Sequence, residues 1–282
     1  MKILSFGGGV QSTALAILAA QGKIEVDAFV FCDTGFEKSI VFEFLERFTL
    51  PMLKKAGISF YTAKTEHYAG NLNGKTAFGD MLLPPFFHSD GEAAISRQPA
   101  YCSSIWKTSV FKRFCNKTFK AKSYDVLMGF STDEKHRASR QTEIINQDFE
   151  VSQNDIFGNT SIIAKKTKRK SKKFRCYFPL LDLRLNRSDC VKLVIDTFNA
   201  PPPRSSCYFC PNHTQHEWRE VMKSADREKV IKIDNQIRSS LQSTLPGVNA
   251  FMTVECKPIA ECEFDEKNES IFSRLCAGGC FL

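Results

Sequence analysis

Ser5-Phe6-Gly7-Gly8-Gly9-Val10-Gln11-Ser12-Thr13, close to the start of the chain, joins two apolar segments of different character. The run Lys2 to Phe6 before it has the length and composition of a buried strand, and the Ala- and Leu-rich run Ser12 to Gln21 after it is typical of a helix. Glycines allow positive φ and a close approach of the backbone to a phosphate, while the free N–H groups at a helix N-terminus attract anions. This stretch therefore predicts a phosphate-binding loop, in which the hydroxyls of Ser5 and Ser12 can donate hydrogen bonds.

Two common phosphate-binding patterns do not fit this loop. A Walker-type loop would continue into Gly-Lys-Ser or Gly-Lys-Thr, and this chain does not. A dinucleotide fingerprint, Gly-x-Gly-x-x-Gly, needs a glycine where this chain has Ser12. The loop must therefore hold its anion in a different arrangement.

The segments after the loop alternate between strand and helix patterns. Val26 to Cys32 is a continuous apolar run of strand length, Lys38 to Ala56 has helical periodicity with a break or kink expected at Pro51, and Ile58 to Ala63 is another candidate strand. This alternation predicts an α/β fold with a doubly wound, mostly parallel sheet. Ligands of such sheets bind outside the carboxyl ends of the strands, which is where the glycine loop falls.

We expect two regions along the chain. Residues 1–200 would form the nucleotide-binding α/β domain, with a basic insertion at about 146–175. Residues 201–282 would form a smaller helical region that carries the cysteines of a metal or cluster site. The 282 residues are 43% hydrophobic and 25% charged, which fits one large globular domain with a small appendage.

Composition also restricts the cellular setting. No run approaches the ~20 consecutive apolar residues of a membrane span. The N-terminal residues lack the longer apolar region and small-residue cleavage site of a secretory signal, so we expect a cytoplasmic protein that does not contact a membrane. Its eleven cysteines would then be reduced, with most of them acting as small buried hydrophobic residues.

One segment carries most of the net charge. Lys165 to Lys173 has seven positive charges and no negative one, so of the formal net charge of +8 only 8 − 7 = +1 remains for the rest of the chain. The run is either a solvated loop or a contact to nucleic-acid phosphates, and the sequence leaves both interpretations open.

The glycine loop resembles the PP-loop of the ATP pyrophosphatase superfamily, whose pattern is Ser-Gly-Gly-x-x-Ser. Phe6 is an extra residue in the pattern, and Gln11 replaces the acidic residue that usually precedes the last serine. The resemblance implies that ATP, with magnesium, binds here through Ser5, Phe6, Gly7, Gly8, Gly9, Gln11, Ser12 and Thr13.

Two further segments resemble the phosphoadenosine-phosphosulfate reductase branch of that superfamily. Phe31 to Glu37 is similar to its Asp-Thr-Gly-x-Glu turn, and Met128 to Arg137 is similar to its Gly-x-x-x-Asp-Glu-x-x-Arg segment. Asp33 is also a common turn residue, and Thr132 a common helix cap. The resemblance places Cys32, Asp33, Thr34, Gly129 and Asp133 beside the nucleotide, and it assigns catalytic contacts to Ser12, Asp33, Lys107 and Arg137.

The cysteines form a second motif. Cys207 and Cys210 have the Cys-x-x-Cys spacing that brings two thiolates to one metal ion or cluster, and Cys276 and Cys280 are also closely spaced. The segment Tyr101 to Lys107, which contains Cys102, resembles the cysteine-plus-basic segment of the reductase branch. The resemblance implies a [4Fe–4S] cluster on Cys102, Cys207 and Cys210, with Cys276 or Cys280 as the fourth ligand.

Zinc is the alternative metal, because His213 and His216 follow Cys210 closely enough to serve as ligands.

Three functions fit these motifs. The first is an ATP-dependent enzyme that adenylates a nucleic acid and modifies it, as in sulfur transfer, with tRNA or DNA bound through Lys165–Lys173 and a sulfur donor of unknown identity. The second is a reductase of adenylylsulfate or phosphoadenylylsulfate, and the third is a zinc-stabilised nucleic-acid-binding protein without activity. A homodimer is one candidate for the oligomeric state.

Overall fold

The computed structural model describes residues 1–64, 72–76, 79–89, 95–139, 152–154, 160–162, 173–241 and 249–264. The strands in these ranges are β1 (Lys2–Phe6), β2 (Ala28–Asp33), β3 (Ser59–Lys64), β4 (Asn73–Thr76), β5 (Gly79–Leu82), β6 (Phe87–Ser89), β7 (Ile95–Arg97), β8 (Tyr124–Leu127), β9 (Ser152–Asn154), β10 (Thr160–Ile162), β11 (Phe174–Tyr177) and β12 (Asn249–Phe251). The helices are α1 (Val10–Ala20), α2 (Ser39–Phe44), α3 (Leu50–Lys55), α4 (Ser109–Thr118), α5 (Pro179–Asp182), α6 (Arg187–Phe198), α7 (Gln215–Lys223) and α8 (Arg227–Leu241).

A five-stranded sheet lies at the centre of the protein, in the order β11-β8-β1-β2-β3. All four strand pairs are parallel. The chain moves from β1 outward to β3 and then returns to the other side of β1 to form β8. The direction of the strand order therefore reverses between β1 and β8, and such a reversal opens a crevice at the carboxyl ends of the two strands. The predicted α/β fold with a parallel sheet is confirmed.

Alternate residues of the strands pack into two different cores, one on each face of the sheet. On one face Leu4, Phe6, Phe29 and Phe31 pack against α1, α2, α3 and α6. On the other face the strand residues pack against α4, and they include Ile3, Val30, Cys32 and Val126. This alternation follows from the two-residue period of a strand, and helices on both faces make the sheet doubly wound.

A third core lies beside the carboxyl edge of the sheet. It combines residues from the first half of the chain, such as Phe36, Leu83 and Trp106, with residues of the C-terminal region, such as Phe209 and Trp218. The strands β6, β7 and β12 form a small antiparallel sheet there. The third core therefore takes residues from both sides of residue 200.

Two π-helical turns interrupt the helices. One, Leu45–Thr49, joins α2 to α3, so that the chain stays helical through Pro51, where we expected a break or kink. Pro51 lies near the start of α3, directly after the π-helical turn. The other π-helical turn, Ser103–Thr108, leads into α4 and directly follows Cys102. In the part of the chain that the structure describes, none of the helices has the length and apolar character needed to span a bilayer.

Tyr124 provides a test of the packing on the α4 face. Its hydroxyl donates to the carbonyl of Cys115 at 2.8 Å and accepts from the N–H of Ala121 at 3.0 Å, and the residue is fully buried. Tyr124→Phe leaves the N–H of Ala121 unpaired and removes one of the two hydrogen bonds to the Cys115 carbonyl, which also accepts from Phe119, so we expect the free energy of unfolding to fall by about 1–3 kcal/mol in urea titrations. Tyr177→Phe, at a side chain that is 45% exposed, is the matched control and should change it little. Equal effects of the two substitutions would contradict this account.

Candidate nucleotide and thiol site

The glycine loop lies at the crevice between β1 and β8. Gly8 adopts a φ of +76°, and a Cβ there would stand 2.6 Å from Cγ1 of Val41, so glycine is required at this position. Gly9 is the N-cap of α1. The Ser12 hydroxyl accepts from the N–H of Gly9 at 3.1 Å and donates to the carbonyl of Gly9 at 3.0 Å. The hydroxyl of Ser12 therefore stabilises the loop itself.

The remaining loop residues differ in what they offer to a ligand. Thr13 is buried, and its hydroxyl has no hydrogen-bond partner among the residues that the structure describes. Such an orphaned polar group is typical of a place where a ligand or water completes the bonding. Phe6, in contrast, packs its ring against Phe29, Phe31 and Phe60, so its side chain belongs to the core. Ser5 is half-buried within β1.

Gln11 stands where the PP-loop pattern has an acid. Its amide nitrogen donates to Oε2 of Glu134 at 3.0 Å, and its amide oxygen accepts from the Arg187 guanidinium at 3.3 Å. A Cβ at Gly129 would lie 3.1 Å from Cβ of Gln11, so the end of β8 contacts the first turn of α1 closely. A carboxylate does lie beside this position, but it belongs to Glu134.

The segment after β8 is held by its own contacts. Asp133 is exposed, and its carboxylate accepts from the N–H of Arg187 at 2.6 Å. Arg137 is buried, forms an ion pair with Glu134, and places its guanidinium carbon 4.5 Å from the centre of the Phe130 ring. The structure thus brings Glu134 and Gln11 together and holds Arg137 on the far side of Glu134.

The turn after β2 has the local bonding that its residue types favour. Asp33 accepts from the N–H of Gly35 at 2.8 Å, and Thr34 accepts from the N–H of Phe36 at 3.3 Å. Cys32 points to the α4 face, where its thiol contacts the carbonyl of Lys107 at 3.5 Å. Burial raises the pKa of Cys32 to about 12, so the thiol is neutral at pH 7.

Glu37 contacts both of the segments that bring the cysteines to the site. Its side chain is completely buried and forms an ion pair with the Lys107 ammonium at 2.7 Å. Burial alone would lower the pKa of Lys107, but the Glu37 carboxylate together with the nearby Cys207 and Cys32 outweighs that effect and raises it. Ser205 donates to the other carboxylate oxygen at 3.5 Å, and the backbones of Glu37 and Cys207 form an antiparallel bridge. The sequence analysis did not assign Glu37 to the site, although it lies in the quoted turn motif.

The thiols of Cys102, Cys207 and Cys210 lie near one another. Burial raises the pKa of Cys102 to about 11, and the neighbouring Cys210 adds to the effect. Burial also raises the pKa of Cys207 well above its usual value, followed in size by the influence of Glu37. Among the residues that the structure describes, no three His, Cys, Asp or Glu side chains converge closely enough to hold a single metal ion. Cys276 and Cys280 lie outside the described residues, as do 165–172 of the basic run.

The two histidines near Cys210 each have another neighbour. Nε2 of His213 lies 2.9 Å from the Ser206 hydroxyl, and its ring packs edge-on against Trp218. Burial, and then the cations Lys38 and Arg204, hold the pKa of His213 well below its usual range, so the ring is neutral at pH 7. His216 is exposed, 3.8 Å from Glu220. Neither ring therefore adds a ligand to the three cysteines in this structure.

The segment 204–206 covers the glycine loop, which the sequence analysis missed. A Cβ at Gly9 would lie 3.1 Å from Cβ and 3.2 Å from the backbone nitrogen of Ser205, and a Cβ at Gly7 would lie 3.9 Å from the Ser205 hydroxyl. Arg204 anchors the segment through an ion pair with Glu217 at 2.6 Å. In the sequence, only the closeness of residues 204–206 to Cys207 indicated that this segment could belong to the site.

The geometry defines the class of protein: a doubly wound α/β protein with a glycine loop at the switch point of a parallel sheet and three neighbouring thiols beside it. No family model matches the sequence, and no curated protein does either. Among solved structures, the chain is similar to the U34-tRNA thiolase NcsA from Methanococcus maripaludis with its [4Fe-4S] cluster. The identity is 13% and the TM-score 0.39, with 87% of this chain and 67% of that chain covered.

Gly9→Ala tests the contact between the loop and segment 204–206. The added methyl group would lie within 3.2 Å of Ser205, which must shift by a few tenths of an ångström, so we expect binding of an adenine nucleotide at this candidate site to weaken by about 1–3 kcal/mol in calorimetric titrations. Gly22→Ala, at the far end of α1, has no atoms within 4 Å of the new methyl group and a φ of +71°, so it should cost stability without changing affinity. Unchanged affinity in Gly9→Ala would remove the glycine loop from the nucleotide site.

Proposed function

We propose that this chain is an ATP-dependent enzyme of the PP-loop type that adenylates a nucleic acid and then transfers sulfur to it. The observation that carries the proposal is the position of residues 204–210. Ser205 lies against the glycine loop, while Cys207 packs against the same third core as Cys102, and the N–H of Cys210 donates to the Cys207 carbonyl at 3.0 Å. One short segment therefore connects the place where phosphates would bind with the place where thiols meet.

The glycine loop fits the phosphates of ATP in three respects. Gly8 has no side chain, so the loop can adopt a φ of +76° there and lie directly against Val41. The first turn of α1 directs its free N–H groups at the loop, where they would stabilise negative charge. The buried Thr13 hydroxyl lacks a described partner, which leaves it available to a bound nucleotide or an associated water.

The proposed reaction has two steps. A target oxygen attacks the α-phosphorus of ATP, the bond to pyrophosphate breaks, and the target becomes an adenylate. A sulfur nucleophile then attacks the activated carbon, and AMP leaves with the original oxygen. Fixed N–H donors of the loop would stabilise the charge that develops on the departing pyrophosphate. Ser12 would maintain the loop, and Lys107 and Asp33 would position the groups around it.

The thiols of Cys102, Cys207 and Cys210 fit a [4Fe–4S] cluster better than a zinc ion. Zinc needs four ligands at about 2.0–2.3 Å from one point, whereas a cluster of several irons spreads its ligands over a larger volume. The described thiols influence one another without converging on a single ion, and His213 is bound to Ser206 instead. Cys276 or Cys280 would complete the set. Without that fourth cysteine, a cluster held by Cys102, Cys207 and Cys210 would have one open iron to which sulfide could bind.

Anaerobic purification followed by iron, zinc and sulfide analysis tests the thiol assignment. We expect iron with acid-labile sulfide and an absorbance shoulder near ~400 nm. The variants Cys102→Ala, Cys207→Ala and Cys210→Ala should each lose the iron and the absorbance shoulder, because each substitution removes a ligand. Cys115→Ala, at a buried thiol in the α4 core, is the control and should keep it. A colourless protein with stoichiometric zinc would overturn the cluster and favour a structural metal site.

Pyrophosphate release tests the nucleotide assignment. We expect ATP-dependent release that rises on addition of tRNA or DNA, and we expect Thr13→Val to reduce it while leaving stability nearly unchanged, since the hydroxyl has no described partner. Thr49→Val is a matched control, because the Thr49 hydroxyl is also buried without a described partner but lies between α2 and α3. Sulfite release from adenylylsulfate, with no response to nucleic acid, would instead identify a reductase.

A further inference from the structure

The surface of α4 and of the turn after it carries charge of a single sign. Between Lys107 and Asp125 the chain contains no acidic residue. The same stretch has five cations that are all exposed: Lys112, Arg113, Lys117, Lys120 and Lys122. The opposite side of the helix packs into the core through Val110, Phe111 and Cys115. The cations therefore form one outward face.

The edge strand β11 extends this face. The Lys112 ammonium lies 5.9 Å from the centre of the Phe174 ring, which places α4 directly beside β11. Lys173 lies at the same distance from the Tyr124 ring, 5.9 Å. Arg175 is exposed and pairs with Asp125, the acidic residue on this surface. Next to it, the Tyr177 side chain is 45% exposed.

A solvated helix face ordinarily mixes its charges, and the three surface helices α6, α7 and α8 do so. Helix α6 combines Arg187 and Lys192 with Asp189 and Asp196. Helices α7 and α8 also carry both signs, in the sequences QHEWREVMK and REKVIKIDNQIRSSL. The exposed charges of α4 are all positive, which distinguishes this helix from α6, α7 and α8. Self-repulsion of such a face is unfavourable for folding, which makes an anionic partner the better explanation.

The shape of the face fits a polynucleotide backbone. Helix α4 has ten residues and so is about 15 Å long, a length that spans about four phosphates at 3.4 Å per nucleotide along one strand. It begins immediately after the π-helical turn that carries Lys107 and follows Cys102. The face therefore starts beside the candidate site and runs down the flank of the sheet toward Lys173, where the basic run of the sequence ends.

We propose that α4, the turn after it and β11 form the surface that binds the sugar-phosphate backbone of a nucleic acid. This inference rests on the proposed function, and it names residues other than the basic run for contact with the target. Lysine and arginine on this face would neutralise phosphates, and Tyr177 would stack against a base or sugar. The contacts would hold the target strand with its reacting base toward the thiols.

Two charge-matched variants of the full chain test this surface. The face variant is K112Q/K117Q/K120Q/K122Q. The control variant is K23Q/K54Q/K55Q/K192Q, whose lysines are exposed around α1, α3 and α6 on the opposite side of the sheet. Both lower the net charge from +8 to +4, because each removes four positive charges. Binding of fluorescent duplex DNA and of unfractionated tRNA is measured across a range of salt concentrations.

We expect the face variant to bind its preferred probe about tenfold or more weakly at about 150 mM salt. The slope of log K against log salt should shrink by up to about 3.6, because each duplex phosphate that a lysine neutralises adds about 0.9 to it. The control should stay close to wild type. Equal losses of affinity in the two variants would overturn the surface while leaving the proposed function intact. Failure of the wild type to bind either probe would overturn both, and binding to phosphatidylserine vesicles instead would assign the face to a membrane.

Discussion

Glu37 is a buried carboxylate, and its ion pair with Lys107 is the interaction around which the site is assembled. An unpaired charge at this depth would be costly, so the turn that carries Lys107 and Cys102 has to meet the end of β2. The backbone bridge from Glu37 to Cys207 fixes the second group of thiols relative to the same point. The relative positions of loop and thiols follow from this one pairing.

Local patterns predicted the sheet and the loop well, because hydrophobic periodicity and glycines act over a few residues. The ion pair joins residues 70 positions apart, and the contact of Ser205 with Glu37 joins residues 168 positions apart. Sequence-spacing rules relate residues a few positions apart, so they could not predict these two contacts. Cys32 shows a different limit: it is adjacent to Asp33 in sequence, yet successive strand residues face opposite sides, and its thiol lies under α4.

Gln11 shows how one local departure from a motif is absorbed by the fold. The amide cannot replace a carboxylate as a metal ligand of equal charge, but it holds Glu134 beside the loop through a hydrogen bond of 3.0 Å. The carboxylate arrives from the neighbouring strand because Gly129 lets the end of β8 approach α1. A carboxylate therefore lies beside Gln11 from the other side of the crevice, and this could not be predicted from the loop residues alone.

The third core joins Leu83 and Trp106 to Phe209 and Trp218, which lie more than a hundred residues further along the chain. Closing such long loops costs entropy before any contact is gained, so structures of this kind form slowly. During synthesis the parallel sheet can assemble while Trp106 and Phe36 still expose their rings to water. Until the last third of the chain has been synthesised, the part of the third core that comes from the first half of the chain lacks its packing partners, and exposed apolar surface of this kind favours aggregation.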